Sequence, residues 1–246
     1  MPPRGPRVAR AGGETGIGGT PVDDPALLAD LHRDGARQGP GGDEETRLAV
    51  TLSGLRGRGD LRIADIGCGT GASTLVLARE LDARITAIDL LPAFLAALES
   101  AAARAGLGER IHTRAGSMDA LPFGEAELDA IWAEGAIYTI GFAAGVEAWR
   151  RHLKPGGVLA VSELTWLTDA RPEPLQTHWD GAYPEVDTAS AKMAVLERLG
   201  FTPLGYFPLP ERCWLDNYYR PMQRRFPAFL DRHGHSDAAQ ALVAAE

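Results

Sequence analysis

The stretch Ile63-Ala64-Asp65-Ile66-Gly67-Cys68-Gly69-Thr70-Gly71-Ala72 holds the residue types and spacing most suggestive of chemistry in this 246-residue chain. An apolar run that reads as a buried strand enters a glycine turn and then a helix. The backbone there can approach a ligand closely and offer it free amide donors. A nucleotide-like cofactor is the expected guest, and a purely structural glycine turn is the alternative. Asp89 closes the next apolar run at roughly the 20-residue distance where a carboxylate can accept hydrogen bonds from ribose hydroxyls. Gly67, Gly69 and Ala72 also satisfy the relaxed dinucleotide fingerprint G-x-G-x-x-G/A, so spacing alone leaves NAD open. Asp65 argues for a cationic amino group instead, because a carboxylate directly before the turn would repel a pyrophosphate. The loop and its following turn carry no Lys or Arg, which also opposes a Walker-type phosphate site.

The elements that must position these residues alternate along the chain. Strands are expected at Arg62 to Ile66, Ile85 to Asp89, Ile111 to Ala115, Leu128 to Ala133 and Gly157 to Glu163. Helices are expected at Ala72 to Leu81, Ala93 to Ala105 and Gly145 to Leu153, with a turn at Lys154-Pro155-Gly156-Gly157. Such βαβ units imply an α/β fold whose parallel sheet is covered on both faces. Upstream, Asp24 before Pro25 starts a short helix with Leu27, Leu28 and Leu31 on one face, and Asp43, Glu44 and Glu45 open a second. Residues 1–21 are Gly, Pro and Arg with few large apolar groups and are expected to be a disordered tail. Downstream, an insertion at about 166–187 is expected to lie over the site. It is followed by a helix from Ala189 to Leu199, a strand from Thr202 to Leu209 and a helical segment at 210–246.

Beyond the glycine loop, Asp65-Ile66-Gly67-Cys68-Gly69-Thr70-Gly71, Asp89 and Leu153-Lys154-Pro155-Gly156-Gly157 together resemble class I S-adenosylmethionine-dependent methyltransferases. Arg37-Gln38-Gly39-Pro40-Gly41, Gly116-Ser117-Met118-Asp119 with Leu121-Pro122-Phe123, Glu134-Gly135-Ala136-Ile137-Tyr138 and Ala160-Val161-Ser162-Glu163 are similar to a subfamily of small bacterial methyltransferases without assigned substrates. The resemblance covers roughly Gln38 to Leu209. It implies a Rossmann-like fold with S-adenosyl-L-methionine as cofactor. Asp65 and the Gly67, Cys68, Gly69 and Gly71 backbone would hold the methionine end, with Glu134 beside it. Asp89 would take the ribose and Leu90 would flank the adenine, while Ser117, Met118 and Asp119 would recognise it. Residues 22–56 would form an N-terminal lid on a cofactor domain at 57–209. Gln38 and Gly39 in that lid either reach the cofactor or simply break a helix. The family commonly ends on an antiparallel strand, whereas Asp237 to Glu246 reads as an alanine-rich helix, so either that strand comes from elsewhere in the chain or the chain ends early and leaves the sheet without it.

Methyl transfer needs an aligned nucleophile more than a dedicated base. Tyr138, at i,i+4 from Glu134, could border the transferred methyl or fill the pocket wall. His178, beside Trp179 and Asp180, is the histidine best placed by sequence order for a base, with a surface position as the alternative. His32, His112, His152, His233 and His235 have no metal-ligand spacing, and no metal is implied. Trp166, Trp179, Tyr183, Tyr206, Trp214, Tyr218 and Tyr219 would suit an aromatic or amphipathic small molecule, or else pack the core. Arg220, Arg224 and Arg225 could attract an acidic substrate or form a solvated face. Cys68 and Cys213 are the two cysteines, which disfavours arsenic methylation and fits a reducing cytoplasm. A net charge of -8 makes nucleic acid and anionic membranes poor partners. The expected function is methyl transfer to an O or N atom of a small molecule. A non-catalytic S-adenosylmethionine-binding protein and an NAD-dependent oxidoreductase are the rivals.

Overall fold

The computed structural model describes residues 24–246, so the expected tail at 1–21 lies outside the described residues. Five parallel strands form the central sheet: β1 (Leu61–Ile66), β2 (Ala83–Asp89), β3 (Ile111–Ala115), β4 (Leu128–Glu134) and β5 (Leu153–Ser162). Their order is β3-β2-β1-β4-β5, so the chain reverses direction across the sheet between β1 and β4. That reversal opens a crevice at the carboxyl ends of the strands, where β1 delivers the glycine turn.

The alternation of apolar side chains divides the core in two. On one face Ile63, Ile85 and Trp132 pack with Val50 of α2 (Asp43–Ser53), Leu77 of α3 (Ala72–Glu80) and Leu98 of α4 (Pro92–Arg104). On the other, Ala64, Ile66 and Ile131 meet Val146 and Trp149 of α5 (Phe142–Arg150). Successive residues of β1 thus serve opposite layers, as a pleated strand covered on both sides must.

Two expectations change. The helix expected from Gly145 begins at Phe142, and Leu153 to Gly157 join β5 instead. Thr202 to Leu209 forms no strand. Pro203 and Pro208 lack the amide hydrogens a ladder needs, and the segment runs irregularly along a cleft facing β5. Among the described residues no antiparallel strand pairs with β5, which ends the sheet. The insertion carries α6 (Glu173–Ala182) between the short parallel strands β6 (Thr165–Trp166) and β7 (Asp187–Thr188), and α7 (Ala189–Arg198) follows.

A satellite cluster joins the two ends of the described chain. Leu27 and Leu31 of α1 (Pro25–His32) pack on Phe229, Ala239 and Leu242 of the C-terminal helices. At its rim His32 Nε2 lies 2.8 Å from Glu246, and Asp30 accepts from Arg232 at 2.8 Å. Asp24 caps α1 by accepting from the Ala26 and Leu27 amides. Among the described residues no helix is long and apolar enough to cross a membrane. Phe229 is fully buried, so Phe229→Ala is expected to lower unfolding free energy by about 3–5 kcal/mol in urea denaturation. A loss below about 1 kcal/mol would mean that the helices dock loosely.

Candidate functional site

The β1–α3 turn passes through left-handed backbone at Gly67, Gly69 and Gly71. A Cβ on Gly67 would strike the Ala136 methyl, and one on Gly69 would strike the Gln38 amide oxygen. The turn is therefore glycine by sterics as well as by backbone angle. Its amides are not free donors, contrary to expectation. Gly67 and Cys68 donate to the Ile88 carbonyl, Gly69 to Asp89 Oδ2 at 2.8 Å, Thr70 to Gln38 Oε1 at 2.9 Å and Gly71 to the Cys68 carbonyl. The turn offers a close-approach surface, with its polar recognition left to side chains.

Asp65 is fully buried at the end of β1. Its Oδ2 accepts from Ser73 Oγ at 2.8 Å and Thr74 Oγ1 at 2.6 Å in the first turn of α3, while Oδ1 is buried without a partner among the described residues. Burial, helped by the Glu134 charge, pushes its pKa up to about 7 against those two hydrogen bonds and the Arg37 charge. Asp89 receives Gly69 N on one oxygen and Leu91 N on the other. Burial raises its pKa too, although the backbone donors oppose the shift. Each of its oxygens retains capacity for another donor. An unpaired buried carboxylate oxygen beside a glycine cradle fits a ligand that brings an ammonium group and hydroxyls.

Glu134 ends β4 and is firmly held. Its Oε1 accepts from Thr46 Oγ1 at 2.7 Å and Trp132 Nε1 at 2.9 Å, and its Oε2 lies 3.0 Å from Arg37 Nη1. Arg37 and Thr46 were not singled out from the sequence as Glu134 partners, because 97 and 88 residues separate them from it. Gln38 is a clasp: Oε1 accepts from Thr70 N and Oγ1, and Nε2 donates to the His32 and Gly35 carbonyls. Gly39 lies alongside in open space. Leu90 is exposed at the crevice rim. Met118 reaches the turn, its methyl lying 3.5 Å from where a Gly67 Cβ would stand, whereas Ser117 and Asp119 are exposed. Asp119 lines a separate small depression with Trp149 and His152.

A cleft of about 1340 Å³ opens between β5, the insertion and residues 200–209. Tyr138, Trp179, Tyr183, Tyr206 and Trp214 line it. His178 is exposed on α6 with its ring against Trp179 and is not part of the wall. Tyr218 is buried against Glu246 and Arg225 donates to the Leu31 carbonyl, so these two are used in helix packing, whereas Arg220 pairs with Asp216 one turn away on an exposed face. Two lining residues, Glu163 and Lys192, form a buried pair at 2.8 Å. The signal for it was available, because Lys154 and Lys192 are the only lysines and Lys192 sits on an otherwise apolar helix face. Among the described residues no group of His, Cys, Asp and Glu could hold a metal ion.

Sheet order, glycine turn and the acids at the strand ends define a Rossmann-like α/β protein of the class I methyltransferase type. Residues 63–157 match the family model described as a methyltransferase domain. The O-methyltransferase rstn1 of Aspergillus nomiae is 30% identical over 159 residues, 63% of this chain and 68% of that protein. The chain belongs to the methyltransferase family. The malonyl-[acyl-carrier protein] O-methyltransferase of Dechloromonas aromatica is 30% identical over 122 residues, 49% of this chain but 43% of its own length, so the chain spans less than half of that relative. A SAM-dependent methyltransferase from Thiobacillus denitrificans, solved with S-adenosyl-L-homocysteine, shares the fold with a TM-score of 0.78 at 19% identity, over 90% of this chain and 89% of that one.

The Asp65 shift has a defined sign. Between about 4, its unfolded value, and about 7, the folded chain keeps a proton the unfolded chain has released. Asp65's contribution to stability is therefore full below that window and lost as pH rises through it. Asp65→Asn removes the dependence, so the Tm of wild type minus that of the variant is expected to fall from pH 4 to pH 7 in thermal melts. A constant difference would refute the shift.

Proposed function

We propose that this chain binds S-adenosylmethionine across the β1–α3 turn and transfers its methyl group to an oxygen or nitrogen atom of a small, aromatic or amphipathic acceptor in the cleft beside β5. The observation that carries the reading is the row of acids along the carboxyl edge of the sheet, Asp65 with one buried unpartnered oxygen, Asp89 with spare acceptor capacity, and Glu134. Asp65 and Glu134 supply the field for the methionine ammonium, and Asp89 receives the ribose hydroxyls. Leu90 flanks the adenine, and Met118, whose methyl reaches the turn, completes its wall with Ser117, while Asp119, turned to a separate depression, takes no part. Bound in this way, the sulfonium supplies an electrophilic methyl group.

The residues of the chain then orient and shield. Residues 22–56 act as a lid whose Arg37 and Gln38 tie it to Glu134 and Thr70, so that water is kept from the crevice. Tyr138 lines the cleft together with Glu134, its ring against that of Tyr183, and borders the transferred group. Residues 57–209 form the cofactor domain and 210–246 buttress the lid. Two buried, unpaired cysteines suit a reducing, cytoplasmic setting, and the acidic balance of the chain favours neither nucleic acid nor membrane as partner. NAD is the weaker reading, because its pyrophosphate would lie against Asp65 and Glu134.

Calorimetric titration with S-adenosylmethionine and, separately, NAD tests the reading. The former is expected to bind, and Asp89→Ala to weaken it by about tenfold or more through loss of charged hydrogen-bond acceptors. Binding of NAD alone would overturn the proposal. Gln38→Ala, which opens the clasp over Thr70, is expected to weaken the same titration, and an unchanged affinity would remove the lid from the site.

A further inference from the structure

Glu163 follows the last residue of β5, next to the Glu134 end of β4, because Glu134 is in register with Ser162. Its carboxylate is nearly buried, with a side chain 6% exposed. Oε1 is crowded: it accepts from Lys192 Nζ at 2.8 Å and from Tyr183 OH at 2.6 Å. Oε2 is buried and has no partner among the described residues. Lys192 lies over the rings of Phe142 and Tyr183, at 4.8 and 5.1 Å, and the Tyr183 ring meets that of Tyr138 at 5.9 Å. All five residues line the cleft.

The pair ties α7 to the residue that follows β5. Here both donors converge on one oxygen, and the other keeps a demand that a buried acceptor pays for if unmet. Lys192 already balances the charge of Glu163, and an ammonium arriving at Oε2 would be repelled by the Lys192 ammonium. The group that fits is a neutral donor, a hydroxyl, and the surrounding rings suit an aromatic body.

We propose that Glu163 Oε2 is the acceptor-side catalytic group, which receives the hydroxyl of a phenol-like acceptor and takes its proton as the methyl is transferred. This rests on the methyltransferase reading for the transfer itself, but the binding of a hydroxyl does not. In the step, the acceptor O–H bond breaks toward Glu163 Oε2 and the acceptor oxygen forms the new C–O bond. The S–CH3 bonding pair stays on sulfur, so a sulfonium becomes a neutral thioether and Glu163 ends as the carboxylic acid. Lys192 and Tyr183 hold Oε1 and thereby aim Oε2, which makes them positioning residues.

The experiment titrates the full chain with 2-naphthol and with its methyl ether, 2-methoxynaphthalene, with and without S-adenosylhomocysteine. Wild type is expected to prefer 2-naphthol by about tenfold or more, since the ether cannot donate to Oε2. Glu163→Gln keeps an oxygen for Lys192 and turns an amide donor toward the ligand, so the preference is expected to vanish. Should that variant misfold around Lys192, Glu163→Gln/Lys192→Met removes both charges together and is expected to lose the preference equally. A wild type without preference, or a folded variant that retains it, overturns the proposal. Failure of wild type to bind S-adenosylhomocysteine would instead sink the methyltransferase reading, and the comparison of naphthol with its ether would still decide this one.

Discussion

Burying a carboxylate at the end of the central strand constrains everything around it. Among the described residues Asp65 has no cation in contact, so its negative form must be supported by the hydroxyls of Ser73 and Thr74 and by the start of α3. Those hydroxyls are in reach only if the chain turns at once from strand to helix, which is what the left-handed glycines allow. Glu134 makes the problem worse by adding a second negative charge nearby, and Arg37 relieves it. The lid is thus attached by charge balance: without the guanidinium, two acids would share one crevice unneutralised.

That balance explains which parts of the molecule could be read from its sequence. The glycine turn, Asp65 and Asp89 lie within one βαβ unit, where sequence distance and spatial distance are tied together, and their placement follows from periodicity and turn chemistry. The strands β1 to β4 were legible because buried parallel strands are short apolar runs between helices. Thr202 to Leu209 has the apolar content of such a run, but Pro203 and Pro208 deny it ladder donors, and that loss outweighs apolar content.

What stayed hidden is long-range pairing. Arg37 with Glu134, Thr46 with Glu134 and Lys192 with Glu163 each join elements that no local rule brings together. The spent amides of the turn were hidden for the same reason, since their acceptors on Ile88, Asp89 and Gln38 belong to other segments. His178 is the converse case, where adjacency to Trp179 in sequence left both a site role and a surface position open and the side chain is exposed on α6.

The path from the C-terminal helices to the turn is short and continuous. Glu246 holds His32, the His32 carbonyl takes a hydrogen bond from Gln38, and Gln38 accepts from the Thr70 amide. Segments more than 200 residues apart in sequence are therefore joined by one run of hydrogen bonds. By reciprocity, whatever tightens the docking of the last helix also favours the arrangement of the turn, and a guest that prefers that arrangement repays the same free energy to the helix. Affinity at the crevice becomes a property of the whole chain, open to change by substitutions at a surface that no guest ever touches.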